Sequence, residues 1–117
     1  MNKAQKGKRL ERELELMFQE NGFITHKATS NRFNRNDLWG CFDLMAKKRG
    51  CDYTFYVQCS TQWKYGKARK EIEAFPANPL DVVLMARRID RSGFEFMRYF
   101  NDTWTGFEFN LIKAMVA

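Results

Sequence analysis

The strongest constraint on the fold of this chain is a pair of strand-like stretches that lie close together in the sequence. Residues 41–46 (CFDLMA) are apolar apart from one acid, and residues 53–59 (YTFYVQC) are rich in aromatic and β-branched side chains. The segment between them, residues 47–52, is a turn around Gly50. So short a connection predicts that the two stretches form an antiparallel hairpin.

Hydrophobic periodicity and turn residues predict the other elements. Residues 4–20 carry apolar side chains at the spacing of one helix face, and Asn21-Gly22 ends that helix. Further along we expect a short strand at 23–28, a loop at 29–38, a helix at 64–75, a strand at 80–87, and a hairpin of 94–100 and 104–111 that turns at Asn101-Asp102. The predicted fold class is α/β, a mixed β-sheet flanked by helices with an α-β-β-β-α-β core.

Composition limits the class of protein. The chain has 117 residues without repeats or Pro/Gly/Ser-rich linkers, so we expect residues 1–117 to form a single domain. Its apolar runs are shorter than the ~20 residues of a membrane helix. The basic start of the sequence lacks the apolar region of a signal peptide. We therefore expect a cytoplasmic protein without a membrane partner.

Charge and cysteine content favour a nucleic-acid partner over a structural metal. Lys and Arg outnumber Asp and Glu by 20 to 14, and a net charge of +6 favours an anionic partner, usually nucleic acid. Basic residues crowd the start of the chain and again residues 64–70. Three cysteines without CxxC spacing, together with a single histidine, argue against a zinc site and against a disulfide framework.

Asp43 is the unusual residue of the first hairpin, because an acid inside an apolar strand loses solvation unless a partner compensates it. It is either a cap or the partner of a nearby arginine, or it is a metal ligand. Folding the hairpin at its turn places Gln58 opposite Asp43, although a shift of the turn by one residue would move the pairing by two. Side-chain alternation puts Ser60 on the same face as Gln58. Glu11 and Glu13 both flank the apolar stripe of the first helix, so helix geometry alone does not choose between them.

Four short motifs follow one another along the chain: GKRLERE at residues 7–13, TSN at 29–31, GCFD at 40–43 and QCSTQW at 58–63. In this order they resemble the PD-(D/E)XK (restriction endonuclease-like) nuclease superfamily, and most closely its archaeal-type Holliday-junction resolvases. The last two motifs together are similar to a variant in related phage and bacterial nuclease-like proteins. The resemblance covers roughly residues 6–75.

The resemblance implies a restriction endonuclease-like fold and a metal-dependent DNA endonuclease, similar to a Holliday-junction resolvase, that hydrolyses phosphodiester bonds as a homodimer on branched DNA. It implies that Mg²⁺ (or Mn²⁺) is held by Glu11, Asp43, Gln58 and the carbonyl group of Cys59. The expected nucleic-acid contacts come from the basic clusters and from the loop, and are Lys8, Arg9, Ser30, Asn31, Arg32, Arg35, Lys64, Lys67 and Lys70.

Two positions depart from the family pattern. Gln58 stands where the family has Glu, and Ser60 stands where it has the catalytic Lys. A neutral amide oxygen binds Mg²⁺ less strongly than a carboxylate, and Ser supplies no positive charge, so Lys64 or Lys67 is expected to substitute for that Lys. The candidate catalytic residues are Glu11, Asp43, Gln58, Ser60, Lys64 and Lys67. The alternative is a catalytically impaired nucleic-acid-binding module of the same fold, and a third interpretation is a structural dimerisation domain.

Overall fold

The structure is a computed structural model that describes residues 3–27, 41–89 and 93–111. The elements in chain order are α1 (Lys3–Gln19), β1 (Ile24–Lys27), β2 (Leu44–Lys47), β3 (Thr54–Ser60), α2 (Gly66–Glu73), β4 (Asp81–Ile89), β5 (Gly93–Phe100) and β6 (Thr103–Phe107). The predicted fold class, a mixed α/β sheet flanked by helices, is confirmed. The predicted loop at 29–38 lies outside the described residues.

All strands of the described chain belong to one sheet, in the order β1-β2-β3-β4-β5-β6. Strands β3 and β4 are parallel, and every other neighbouring pair is antiparallel. A parallel pair needs a crossover connection, which the segment that contains α2 provides. The central position of β3 and β4 explains why both strands read as nearly continuous apolar runs.

The sheet buries a separate apolar cluster on each face. On one face Leu14 and Phe18 of α1 pack against alternate strand residues, among them Phe55 and Val57 of β3. On the other face Ile72 of α2 packs with the following residues: Phe42, Val83 and Met85. The two faces are therefore called the α1 face and the α2 face below. Because side chains alternate along a strand, each polar residue at a strand end can be assigned to one of them.

The strand predicted at residues 41–46 starts later than expected. Residues 41–46 were expected to be strand, but β2 begins at Leu44 and the backbone bends at Asp43. The reason is that Phe42 packs in the cluster of the α2 face whereas Leu44 packs in that of the α1 face, although residues two apart in a regular strand share a face. The bend turns the chain between these two positions.

The C-terminal hairpin confirms one prediction and corrects another. The turn is at Asn101 and Asp102, whose φ angles of 51° and 60° are those of the tight turn that matches strand twist. The expectation that strand continues to residue 111 is wrong, because β6 ends at Phe107. The Leu111 N–H donates to the Glu108 carbonyl at 2.9 Å, so the backbone turns there. This turn lets Phe109 cover the α1 face, where its ring lies 5.4 Å from that of Phe18.

Candidate active site

Asp43 lies just before β2 and is anchored to β3 through both its backbone and its side chain. Its N–H donates to the Val57 carbonyl at 2.9 Å, and its carboxylate oxygen Oδ2 accepts the N–H of Cys59 at 2.8 Å. The register of β2 and β3, continued by one residue, places Asp43 opposite Gln58. In a regular antiparallel pair, the N–H of Cys59 would lie in the plane of the sheet and donate to a backbone carbonyl of the adjacent strand. The bend before β2 removes that carbonyl, and the Asp43 carboxylate accepts the N–H in its place.

Gln58 reaches the same residue. Its side chain is buried, and its Nε2 donates to the Cys59 carbonyl oxygen at 3.0 Å. The N–H and C=O of one strand residue point toward the same antiparallel neighbour, which here is β2. The side chains of Asp43 and Gln58 therefore meet at the backbone of Cys59. The amide presents its nitrogen because the carbonyl is an acceptor and two oxygens would repel one another.

The pKa of the Cys59 thiol indicates which charged side chains lie near Cys59. The side chain packs against the α1 face, and burial raises the pKa of the thiol to about 12, with smaller contributions from the negative charges of Asp43, Glu11 and Glu13. The positive charge of Arg88 acts in the opposite direction. The charges of Glu11 and Glu13 on α1 therefore both act on Cys59, and the contacts of Glu13 distinguish the two.

Glu13 is committed to ion pairs. Its Oε2 lies 3.2 Å from Nε of Arg88 on β4, and its Oε1 lies 3.4 Å from Nε of Arg9, one turn earlier on α1. The buried Oε2 still has no hydrogen-bond partner among the described residues, because the N–H of Arg88 is poorly aimed at it. The ion pair with Arg88 therefore compensates the charge of Glu13 where α1 packs on β4, but it leaves Oε2 of Glu13 without a hydrogen bond. This arrangement makes Glu13 a structural rather than a ligand carboxylate.

Ser60 lies on the α2 face with a cation beside it. Its partner across the parallel β3–β4 ladder is Arg87, and paired residues of adjacent strands share a face. The Arg87 guanidinium lies 4.9 Å from the centre of the Trp63 ring and forms an ion pair with Glu95 of β5. The Ser60 hydroxyl accepts the N–H of Gln62 at 3.3 Å, which is a local turn contact. Ser60 itself therefore supplies no charge, but its neighbour does.

The predicted substitutes for the family lysine and the predicted DNA contacts lie at several places. Lys64 is half-buried between β3 and α2, while Lys67 and Lys70 are exposed on α2. Lys8 and Arg9 are exposed on α1. The remaining predicted contacts, Ser30, Asn31, Arg32 and Arg35, lie outside the described residues. The structure thus shows the basic clusters on two separate helices, α1 and α2.

The acceptor groups between the bend at Asp43 and the end of β3 match a hard divalent cation by their chemistry. Carboxylates and carbonyl oxygens are the ligands that Mg²⁺ takes, and the Asp43 carboxylate and the Cys59 carbonyl are such groups, with the negative charge of Glu11 acting on the same residue. Gln58 would have to turn its amide oxygen toward the site instead of its nitrogen. Within residues 3–27, 41–89 and 93–111 no three His, Cys, Asp or Glu side chains are grouped closely enough to hold a metal. Among these described residues, a cation there would therefore depend on neutral oxygens as well as on carboxylates.

Comparison with known proteins identifies the fold. Hjc, a Holliday junction resolvase from the archaeal hyperthermophile Archaeoglobus fulgidus, matches 93% of this chain and 99% of its own chain with a TM-score of 0.64. The chain has the fold of an archaeal Holliday junction resolvase. Sequence identity to Hjc is 12%, so the likeness concerns the fold. No protein-family model and no curated protein matches the sequence.

Within this resolvase fold, sequence reasoning missed Arg87 and Arg88. Both lie at the end of β4, and alternation sends Arg87 to the α2 face beside Ser60 and Arg88 to the α1 face beside Glu13. The sequence contained a signal, because two adjacent arginines follow an apolar strand and adjacent strand residues lie on opposite faces of a sheet.

No helix in the described part of the chain has the length and apolar content to cross a membrane.

Proposed function

We propose that this protein is a metal-dependent DNA endonuclease that hydrolyses phosphodiester bonds in branched DNA, as a Holliday-junction resolvase does. The observation that carries the proposal is the meeting of Asp43 and Gln58 at the backbone of Cys59, at the end of a sheet with the fold of Hjc. The sequence motifs that resemble those of the PD-(D/E)XK superfamily include the same residues. Fold alone does not determine activity, so the argument depends on this group of residues.

The roles follow from the chemistry of each group. Asp43 and Glu11 would hold Mg²⁺ or Mn²⁺ together with the Cys59 carbonyl and the amide oxygen of Gln58. The bound cation would stabilise the negative charge that develops on the scissile phosphate. The Cys59 N–H fixes the orientation of the Asp43 carboxylate by donating to its Oδ2. The pKa of about 12 keeps the Cys59 thiol protonated, so Cys59 contributes through its backbone.

The charge of the chain supports a nucleic-acid partner. The net charge is +6, and the basic side chains of Lys64, Lys67 and Lys70 lie around α2, close in sequence to the end of β3. Lys8 and Arg9 provide charge on α1, and Ser30, Asn31, Arg32 and Arg35 belong to the same proposal. Counterion release from DNA phosphates would make such binding fall steeply with salt. Symmetric cutting of two strands would require a two-fold homodimer.

Cleavage of labelled substrates tests the proposal. A four-way junction and a duplex of matched sequence are incubated in single turnover with Mg²⁺, Mn²⁺ or EDTA. We expect metal-dependent cleavage that favours the junction and that disappears in Asp43→Asn. Cleavage that survives in Asp43→Asn or in EDTA would refute the assigned site. Analytical ultracentrifugation with and without junction DNA tests the homodimer.

The amide of Gln58 favours a second candidate, a nucleic-acid-binding module that has lost cleavage. Its Nε2 already satisfies the Cys59 carbonyl, which makes a stable arrangement without any cation. Junction binding that depends on salt but never leads to cleavage, in any divalent metal, would support this function instead. A protein that binds neither junction nor duplex would exclude both.

A further inference from the structure

We infer that Arg87, whose guanidinium lies over the Trp63 ring, binds a nucleic-acid phosphate beside Ser60 and so supplies the positive charge that position 60 lacks. This inference deepens the proposed function, because it names a phosphate-binding residue of the same site. It differs from the sequence-based expectation, which assigned the substitute charge to Lys64 or Lys67. Three features of Arg87 support this role: its strand register, the Trp63 ring beneath its guanidinium, and the solvent exposure of its ion pair with Glu95.

Strand register fixes the location of Arg87. Its Cα is paired with that of Ser60 across parallel strands, and neighbouring strands lie about 4.8 Å apart. Alternation along β4 places Arg87 on the α2 face, since Val83 and Met85 pack in the cluster of that face. A long side chain that starts one strand away from Ser60, on the same face, can reach the space above it. No comparable constraint applies to Lys67, which is exposed on α2.

Trp63 holds the guanidinium in a defined orientation. The Arg87 guanidinium carbon lies 4.9 Å from the centre of the indole ring, and Trp63 itself packs against the cluster of the α2 face. Stacking on an aromatic face restricts the rotation of a guanidinium while its N–H groups stay available at the edge. A guanidinium held in this way matches the paired oxygens of a phosphate, which a flexible ammonium does not.

The present partner of Arg87 can be replaced by a phosphate. Glu95 forms an ion pair with Arg87, but the two side chains are 46% and 37% exposed. Exposed ion pairs contribute little to stability because water and salt screen them. A phosphate diester of DNA offers the same negative charge and acceptor geometry, together with the release of counterions. In the free protein Glu95 therefore occupies the guanidinium edge that a phosphate would use, and a bound phosphate has to displace it.

Binding of a labelled four-way junction in EDTA tests this inference without reference to cleavage. Arg87→Met is compared with Arg49→Met, which removes the same charge from the exposed turn between β2 and β3. We expect Arg87→Met to weaken binding by roughly tenfold, the size of one charge-assisted hydrogen-bonded contact. It should also reduce the slope of log K against log salt by about 0.9, the value for one phosphate contact. Equal effects of the two variants would overturn the inference.

Two further variants make the test specific to Arg87: one returns a positive charge nearby, and the other removes the ion-pair partner of Arg87. Ser60→Lys in the Arg87→Met background should recover affinity, because it returns a cation to the same face one strand away. Failure to recover any affinity in a folded double variant would contradict the inference. Glu95→Gln keeps Arg87 and removes its competitor, so affinity should rise, and an unchanged affinity would also count against the inference. Glu95→Gln still tests the inference if the Arg87→Met variant does not fold.

The outcomes separate this inference from the proposed function. A wild-type protein that does not bind DNA refutes the proposed function itself. A wild-type protein that binds the junction, with Arg87→Met and Arg49→Met equally affected, refutes only the role of Arg87. Arg87→Lys provides a further distinction, since it keeps the charge but loses the planar stack on Trp63, and we expect its affinity to lie between those of wild type and Arg87→Met.

Discussion

The carboxylate of Asp43 accepts the backbone N–H of Cys59 at a distance of 2.8 Å. This contact joins the bend before β2 to the end of β3, and it also fixes a negative charge beside the Cys59 carbonyl. One side chain therefore has two separable properties, an acceptor atom that supports the fold and a charge that a cation would require. Asparagine keeps the acceptor and loses the charge, whereas alanine loses both.

The first prediction uses this difference. Asp43→Ala should lower the free energy of unfolding by about 2 kcal/mol, because the Cys59 N–H loses a charged acceptor. Asp43→Asn should lower it by about 1 kcal/mol or less, since the amide oxygen still accepts. Both variants should lose binding of Mn²⁺ in isothermal titration calorimetry. Urea unfolding measures the stability change, and Asp43→Asn that still binds Mn²⁺ would show that the cation lies elsewhere.

The second prediction concerns the reactivity of Cys59. With its pKa raised from 9.0 to about 12, the thiol should have roughly a thousandfold less thiolate at pH 8 than an unperturbed cysteine. In a variant whose Cys41 and Cys51 are replaced by alanine, alkylation by a maleimide should be correspondingly slow. Asp43→Asn should accelerate it most, then Glu11→Gln, then Glu13→Gln, which follows the order of their effects on this pKa. An alkylation rate that none of the three variants raises would contradict the influence of these charges on the Cys59 thiol.

The third prediction is the pH dependence that follows from the same pKa. Below about pH 9 the Cys59 thiol is protonated in both the folded and the unfolded chain, so its contribution to stability is complete and constant. Between pH 9 and 12 the unfolded chain loses the proton first, so the free energy of unfolding falls as pH rises. Because Tyr and Lys also titrate there, the measurement is the difference between wild type and Cys59→Ala in urea unfolding across this range. A constant difference from pH 8 to 12 would refute the shift.

Much of the fold follows from the sequence because local patterns determine it. The apolar stripe of α1, the turn residues Asn101 and Asp102, and the dense apolar runs of β3 and β4 each identify one element. The start of β2 does not follow in this way. Residues 41–46 are apolar apart from one acid, which predicts a regular strand. The bend at Asp43 follows only from the tertiary packing of Phe42 and Leu44 on opposite faces of the sheet.

The site is only partly predictable for the same reason. Hairpin register is local, so the opposition of Asp43 and Gln58 could be inferred from the turn. The choice between Glu11 and Glu13 required the position of Arg88, which lies more than seventy residues away in sequence and neutralises Glu13. The charge next to Ser60 likewise comes from the parallel partner strand β4, and the pairing of β3 with β4 depends on a crossover that local patterns do not specify.

The fourth prediction tests the role of Arg88. Arg88→Met should lower the free energy of unfolding by about 1 to 3 kcal/mol, because Glu13 keeps a buried carboxylate oxygen without its cation. Adding Glu13→Gln should recover part of this loss, since the uncompensated charge is then gone. Arg12→Met is the control, because Arg12 is 62% exposed and its pair with Glu15 should contribute less than about 1 kcal/mol. Equal losses for Arg88→Met and Arg12→Met would show that the Glu13 pair is only a surface contact.

The fifth prediction concerns Gln58→Glu, which exchanges the amide donor for a second carboxylate. Without a cation, the new carboxylate faces the Cys59 carbonyl and the Asp43 charge, so the melting temperature in EDTA should fall below that of wild type. With Mg²⁺ the same oxygens become ligands, so the melting temperature should rise more in Gln58→Glu than in wild type. Gln58→Met is the control, because it loses the donor without gaining a ligand and should show a smaller Mg²⁺ response than Gln58→Glu. Adding Ser60→Lys should raise junction cleavage further in single turnover. A Gln58→Glu protein whose melting temperature is indifferent to Mg²⁺ would place the cation elsewhere, and would favour the binding module over the endonuclease.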